Sequence, residues 1–297
     1  MSANTVDRAL ITQFSSFVRQ QTQQIRSRIR PHVQILPMSG DNFAYDGLGS
    51  VEAREVNGRI VAATFDDIEH LRRKISRRRF IVNLPIDESD VRGMLADQNG
   101  HYSAAVVAAM ERVFDRVGVE GATADALTGR DFGTAVTFAN DGGLTVDATG
   151  GVTYEKILEA NKNFRDNDVG NDIPITKLFL TTGAEEEALM KETELTSGDF
   201  SRQMPIDANG ELVRVVGNNM VYYGASAPNP ILDVTSAVRT NLIISSTGLV
   251  YGLSKEMRVE VQPRTDYIET TQVQIIGELG AVRAEGKHIQ KFTTTVV

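Results

Sequence analysis

The stretch HYSAAVVAAMERVFDRVGV (101–119) constrains the fold more than any other part of the chain. Its apolar residues recur at helical spacing over about five turns. Alanine and valine dominate it, so its small side chains allow close packing along a sheet. Gly118 stands where a helix stop is expected. The C-terminal half supplies the strands. ITKLFLTTG (175–183) reads as a buried strand. RVEVQ (258–262), TQVQIIGEL (271–279) and HIQKFTTTV (288–296) alternate with period two. A long helix joined to a strand-rich second half implies an α+β chain.

The remaining elements fit this frame. Residues 6–30 carry Val6, Leu10, Ile11, Phe14, Phe17, Val18 and Ile25 on one helical stripe, and Pro31 is the expected stop. Such a helix either packs on its own domain or reaches a neighbouring subunit. Asn57-Gly58 lies between SVEAREV and RIVAATF and predicts a hairpin, because both residues tolerate the positive φ of a type I′ turn. Glu52, Arg54, Glu55 and Arg59 are too frequent for either strand to be buried. In FIVNLPIDESD (80–90), Ile81, Val82, Leu84 and Ile86 suggest a strand entering the core, and Asp87 to Asp90 then offer helix-start chemistry. GATADALTG (121–129) and NDGGLTVDATGG (140–151) read as loop-rich, and VTYEKILEANKNFRDN (152–167) as a helix. AEEEALMKETEL (184–195) reads as a short amphipathic helix. Asn209-Gly210 predicts a second turn, GNN (217–219) links two strands, and NLIISSTGLVYGL (241–253) reads as a strand pair. No internal repeat is present.

Composition excludes several classes. The chain has 297 residues, 41% of them hydrophobic, enough for one large domain or two smaller ones. It has no cysteine, so disulfides, cysteine-ligated metals and thiol nucleophiles are excluded. The longest apolar runs, such as AAVVAAM (104–110), are far short of the ~20 residues of a membrane span. The first residues are interrupted by Asp7, Arg8, Thr12 and Gln13 and form no secretory signal. A soluble intracellular protein with no membrane partner is expected.

Signals for catalysis are absent. No phosphate-binding loop, dinucleotide fingerprint, nucleophile elbow or His-Glu-x-x-His occurs. His32, His70, His101 and His288 have no partner at metal-ligand spacing. DNDVGND (166–172) lacks the spacing and final carboxylate of a calcium loop, so a solvated loop is expected. No cofactor, metal or enzymatic role is expected.

Charge is the informative feature. The chain carries a formal net charge of -8, yet six of the thirteen residues of HLRRKISRRRFIV (70–82) are Arg or Lys. Residues 1–85 hold 13 Arg/Lys and 8 Asp/Glu, a net of +5; the remainder holds 18 and 31, a net of -13. A basic front and an acidic body suit nucleic-acid contact or self-association. The block has no aromatic interleaving beyond Phe80 and lies on an expected strand, not a recognition helix. Contact with a carboxylate-bearing protein surface is therefore favoured, since guanidinium pairs bidentately with carboxylate. DDIE (66–69) and EEE (185–187) are candidate carboxylates. The candidate contact residues are Arg54, Arg59, Arg72, Arg73, Arg77, Arg78 and Arg79.

The order of these elements, with FSSFVRQQTQQIRSRIRPHV (14–33), HLRRKISRRRFIVNLPIDESD (70–90) and GLVYGLSKEMRVEVQPRTD (248–266), resembles the major capsid proteins of tailed bacteriophages, the Hong Kong 97-like fold. The resemblance covers nearly the whole chain. It implies an N-terminal arm (1–37), an extended hairpin loop over a neighbouring subunit (38–85), and a peripheral domain with a spine helix (86–174, the helix at 101–118). It further implies an axial domain (175–250) and peripheral-domain return strands (251–297). The function implied is self-assembly through pentamers and hexamers into an icosahedral shell around double-stranded DNA. The virion would be assembled in the host bacterial cytoplasm with scaffolding, portal and decoration proteins as partners. DNA contact by the arm would be nonspecific and salt-dependent. A Lys–Asn cross-link is not expected, because Lys74 is the only lysine before Lys156 and sits inside the arginine block. The competing readings are an encapsulin-type shell with protein cargo and a nucleic-acid-binding protein using Arg72 to Arg79.

Overall fold

The computed structural model describes residues 23–55, 57, 65–87, 98–192, 206–207, 210–226, 230–232, 234–264, 266–267 and 270–296. Its strands are β1 (Gln34–Pro37), β2 (Asn42–Leu48), β3 (His70–Ser76), β4 (Arg78–Asp87), β5 (Ala126–Thr128), β6 (Thr134–Val136), β7 (Leu144–Asp147), β8 (Lys177–Thr181), β9 (Arg214–Val215), β10 (Asn218–Tyr222), β11 (Val234–Thr235), β12 (Val238–Ser245), β13 (Leu249–Arg264), β14 (Thr270–Arg283) and β15 (Ile289–Thr295). The helices are α1 (Gln98–Thr123), α2 (Tyr154–Asp166) and α3 (Gly183–Met190). The sheets run β1-β13-β14-β4, β7-β15-β12-β8-β10-β9 with β11 on β12, and β2-β3-β5-β6.

The chain divides into two compact units. One gathers Met1–Ser27, Arg79–Val113 and Lys255–Glu278. Its core sets Val106 and Met110 of α1 against Ile86, Val273 and Ile275, with Phe80, Val82, Leu84, Met257 and Val259 at the margin. Alternation along β4 explains this: Phe80, Val82, Leu84 and Ile86 turn inward, and Arg79, Ile81, Asn83 and Pro85 are exposed.

The other unit gathers Arg28–Arg78, Phe114–Ser254 and Leu279–Val297. Its larger core packs Ile157, Ala160 and Phe164 of α2 and Leu189 of α3 on Phe179, Ile243 and Phe292 of the six-strand path. The central strand β8 is nearly continuously buried, as a strand covered on both faces must be. It pairs parallel with β10 and antiparallel with β12. Thr182 and Glu185 close a capping box on α3, and the Thr153 side chain caps α2.

Several expectations change. Residues 1–22 lie outside the described residues, and 23–29 are not helical. Carboxylates on α1 take the backbone N–H groups there that a helix would use. Pro31 sits inside a short 3-10 turn, Arg30–His32, which it helps start rather than stop. The hairpin expected around Asn57-Gly58 falls partly outside the described residues, at 56 and 58–64. The described flanks 51–55 and 65–69 form no strand except at the loop base, where Gly49 N–H bonds Glu69 O at 2.7 Å. The paired arms are β2 and β3, in register from Asn42↔Ser76 to Leu48↔His70. The helix-start residues 88–90 lie outside the described residues, as does Asn209, although Gly210 N–H closes a turn on Asp207 O at 2.9 Å.

Gly118 does not stop α1, which continues to Thr123. A Cβ at Gly118 would overlap the Tyr251 hydroxyl, and one at Gly121 would lie 2.7 Å from Ala281 O. These glycines let the end of α1 lie directly on β13 and β14. The loop-rich segments contain short strands, β5 and β7. The strand pair expected over 241–253 is two strands in different sheets: β12 joins β8 and β15, and β13 joins β1 and β14. The link into β10 is a Val216-Gly217 turn with φ of 47° and 81°, and Asn218 is already paired with Val215.

Candidate inter-subunit surfaces

The arginine block occupies β3, the start of β4 and Arg77 between them. Period two along β3 divides its side chains. Arg72 faces Asp46 across the β2–β3 ladder and grips it bidentately, Nε to Oδ1 at 2.6 Å and Nη2 to Oδ2 at 3.1 Å. That bond holds the Asp46 carboxyl below its ordinary value, with Arg72's charge adding and burial opposing. Arg77 pairs with Asp41, Arg78 with Glu120, and Arg79 Nε approaches Glu278 Oε1 at 3.7 Å. Lys74 Nζ sits 5.9 Å from the centre of the Phe132 ring. All of these arginines remain well exposed, where an ion pair contributes little and can exchange partners.

Arg73 is different and corrects the sequence reading. It is 3% exposed and turns inward to Asp141. The same carboxylate receives Arg283 Nε at 2.6 Å. Arg283 also donates to Val136 O at 2.5 Å and to Ala124 O. A guanidinium spent on a buried carboxylate is not offered to a neighbour, so Arg73 leaves the candidate contact set. Asp141 and Arg283 were not singled out from the sequence. The available signal was Arg283 itself, a charge closing the apolar run of β14.

The loop between β2 and β3 carries Arg54, which pairs with Asp66. Arg59 lies outside the described residues. Phe65 is 96% exposed, Leu48 69% and Val51 55%. On β4 Ile81, expected to enter the core, instead stands in the outward row at 57% exposed, because the strand alternates and Phe80 and Val82 take the inward face. Of the candidate carboxylates, Glu185 is buried. Its Oε1 accepts from Arg239 at 3.3 Å, Asn241 at 3.1 Å and Thr294 at 3.1 Å, so it serves the interior of its own unit. Glu187 pairs with Lys191 at 2.6 Å, and Glu186 accepts from the Leu212 N–H at 3.0 Å.

Two carboxylates of α1 hold the segment leading from the N-terminus. In one unit Glu111 Oε2 accepts the Ser27 N–H at 2.9 Å, and Arg112 donates to Gln23 and Gln24. In the other, Asp115 accepts the N–H groups of Arg28 and Ile29 at 3.0 and 3.3 Å and the Tyr223 hydroxyl at 3.0 Å. Burial, then the Asp115 charge, pushes the Tyr223 hydroxyl well above its ordinary value, so it stays a donor.

Among the described residues no cluster of three His, Asp or Glu side chains is arranged to hold a metal, and no helix is long and apolar enough to cross a membrane. The 166–172 loop closes on itself, with Asn171 donating to Asp168 at 2.9 Å and to Arg165 O at 3.0 Å.

Residues 6–296 match the sequence model of the family described as phage capsid protein. No curated protein matches the chain in sequence. Solved capsids match it in structure. The head structure of Helicobacter pylori bacteriophage KHP40 aligns with a TM-score of 0.72 at 12% identity, over 99% of each chain. The capsid of cyanophage P-SCSP1u gives 0.69 at 13%, over 98% of this chain and 94% of that one. Microbacterium phage Oxtober96 gives 0.67 at 14%, over 97% of each. At these identities the likeness shows the fold alone, and a Hong Kong 97-like fold is consistent with it. Neither the encapsulin-type shell nor the nucleic-acid-binding protein is favoured. The family match spans nearly the entire sequence, so the chain belongs to the phage capsid protein family and is a major capsid protein that forms the shell.

Proposed function

We propose that copies of this chain assemble through pentamers and hexamers into an icosahedral shell enclosing the double-stranded DNA of a tailed bacteriophage. The observation carrying this reading is that the family match, residues 6–296, runs over nearly the whole molecule, so shell formation is the work of the entire chain. Residues 1–37 serve as the arm, 38–85 as the extended loop, 86–174 and 251–297 as the peripheral domain, and 175–250 as the axial domain. Arg54, Arg59, Arg72, Arg77, Arg78 and Arg79 meet carboxylates of an adjacent copy. Such pairs fix register and reject wrong geometries more than they add affinity. Assembly takes place in the host cytoplasm with scaffolding and portal proteins, and decoration proteins join the finished shell. Contact with packaged DNA is nonspecific and weakens with salt.

Negative-stain electron microscopy of the purified chain, with size-exclusion chromatography at low and high salt, tests this. Closed shells, or rings of five and six subunits, are expected. A small discrete oligomer that never grows, even with a scaffold supplied, overturns the reading.

A further inference from the structure

We propose that Arg73 and Arg283 hold a compact monovalent anion, chloride in ordinary salt solutions, in the interior beside Asp141. Such an ion stabilises each copy by itself, apart from any contact between copies.

Two guanidiniums share one carboxylate at this place. Arg73 Nη2 donates to Asp141 Oδ1, and Arg283 Nε donates to Asp141 Oδ2 at 2.6 Å. The remaining bonds of Arg283 go to neutral acceptors, the carbonyls of Ala124 and Val136. Both arginine side chains are buried. Guanidinium keeps its proton in a protein, so the cluster carries an excess of one positive charge. A buried charge without a counter-charge is costly, because the interior cannot solvate it as water does. The neighbours do not relieve the excess. Lys291 Nζ stands 5.3 Å from the centre of the Phe138 ring and Arg283 Cζ stands 5.8 Å from it, so the next charge nearby is again positive. The carboxylates next along these strands are taken: Asp46 by Arg72, and Glu285 by Lys287 at 2.9 Å.

Arg73 shows where the ion lies. Its Nε and Nη1 are buried and meet no acceptor among the described residues. Buried donors in folded proteins are paired with protein, ordered water or an ion. A water would accept from these atoms but leave the charge uncompensated. An anion does both, through the stronger bonds that form between ionised partners. Tyr45 on β2 and Thr128 on β5 stand directly opposite Arg73. Cross-strand partners share a face, so each brings a hydroxyl donor to the side on which Arg73 lies. One negative charge balances the cluster, which selects a monovalent ion over phosphate or sulfate.

The test uses the full, unassembled chain at constant ionic strength, with sodium chloride replacing sodium gluconate. Constant ionic strength holds the screening of the exposed ion pairs fixed. The melting temperature should rise with chloride. Above half-filling, each tenfold in chloride should raise the folding equilibrium constant by up to ~10-fold. Arg73→Met should melt lower and show no response to chloride. The folded wild type should also broaden the chloride-35 magnetic resonance line, and unfolding in urea should abolish the broadening. This second measurement decides the matter even where Arg73→Met fails to fold. Equal melting in chloride and gluconate would mean that water satisfies Arg73, and would overturn the proposal. So would a chloride response that persists in Arg73→Met, or a chloride-35 line that the folded wild type leaves sharp.

Discussion

Arg283 Nε donates to Asp141 Oδ2 across 2.6 Å, with the Arg283 side chain fully buried and Asp141 9% exposed. Arg73 takes the other carboxylate oxygen. One anion thus ties β3, carrying Arg73, to the end of β14, carrying Arg283. Asp141→Ala would leave two guanidiniums buried without their counter-charge. The expected loss is about 3–5 kcal/mol, the cost of breaking a buried pair from one side. Asp141→Asn keeps the volume but not the charge and should lose most of the same amount. Urea unfolding of the unassembled chain measures both.

The arginine block should divide by exposure, not by sequence. Arg72→Ala and Arg77→Ala remove exposed pairs with Asp46 and Asp41 and should leave the unfolding midpoint unchanged. Arg73→Ala, one residue from Arg72, removes a buried partner of Asp141. It should cost at least about 2 kcal/mol, less than Asp141→Ala because Arg283 still holds the carboxylate. Equal midpoints for Arg72→Ala and Arg73→Ala would contradict this placement of the block.

The contrast shows what the sequence could reveal. Alternation was legible in β14 and β15, and β8 was legible as a buried run. The basic block was legible as a block, but its division depended on the face each residue takes in the β2–β3 ladder. That register is set by pairing with Asn42–Leu48, which local pattern does not report. Asn57-Gly58 drew attention to a local turn that falls partly outside the described residues, whereas the described pairing around it, β2 with β3, lies eight or more residues to either side. Asp141 had no local signal, because its partners lie 68 and 142 residues away. β4 was legible as a strand, but Ile81 was expected inside and is exposed, and the strand's place at the end of its sheet follows only from the sheet order.

Gly118 was expected to end the helix and Gly121 to lie in a loop, yet both lie inside α1 on its contact face. Alanine in a helix interior is worth about 1 kcal/mol over glycine, so substitution there should stabilise a solvated helix. Here a new Cβ meets the Tyr251 hydroxyl or the Ala281 carbonyl. Tyr251 cannot easily yield, because its ring stacks on Phe114 at 4.1 Å and its hydroxyl donates to Phe114 O at 3.1 Å. Gly118→Ala and Gly121→Ala should each destabilise by roughly 1–3 kcal/mol, the cost of overpacking. Gly183→Ala, with nothing within 4 Å of the new Cβ, should instead stabilise by about 0.5–1 kcal/mol. Thermal melts of the three variants would show opposite signs.

Acid should weaken the fold in two stages. Burial pushes the His288 imidazole below its ordinary value of 6.5; Glu285 opposes this and Lys287 adds to it. Its Nδ1 lies 3.0 Å from both the Ser245 and Thr247 hydroxyls, which can donate to it only while it is unprotonated. As pH falls below 6.5 the unfolded chain takes up a proton that folded His288 resists, so stability declines. Glu185 follows at lower pH. Burial raises its carboxyl, but hydrogen bonds from Thr182 and Asn241 and the charge of Arg239 outweigh that and hold it below its ordinary 4.5. Its contribution is complete above 4.5 and is lost as pH falls through the lower folded value. Melting temperature against pH should therefore show a shallow decline below neutral pH and a second decline below 4.5. His288→Gln should remove the first decline and Glu185→Gln should flatten the second. A His288→Gln profile identical to wild type between neutral pH and 4.5 would show that the proton is taken up elsewhere.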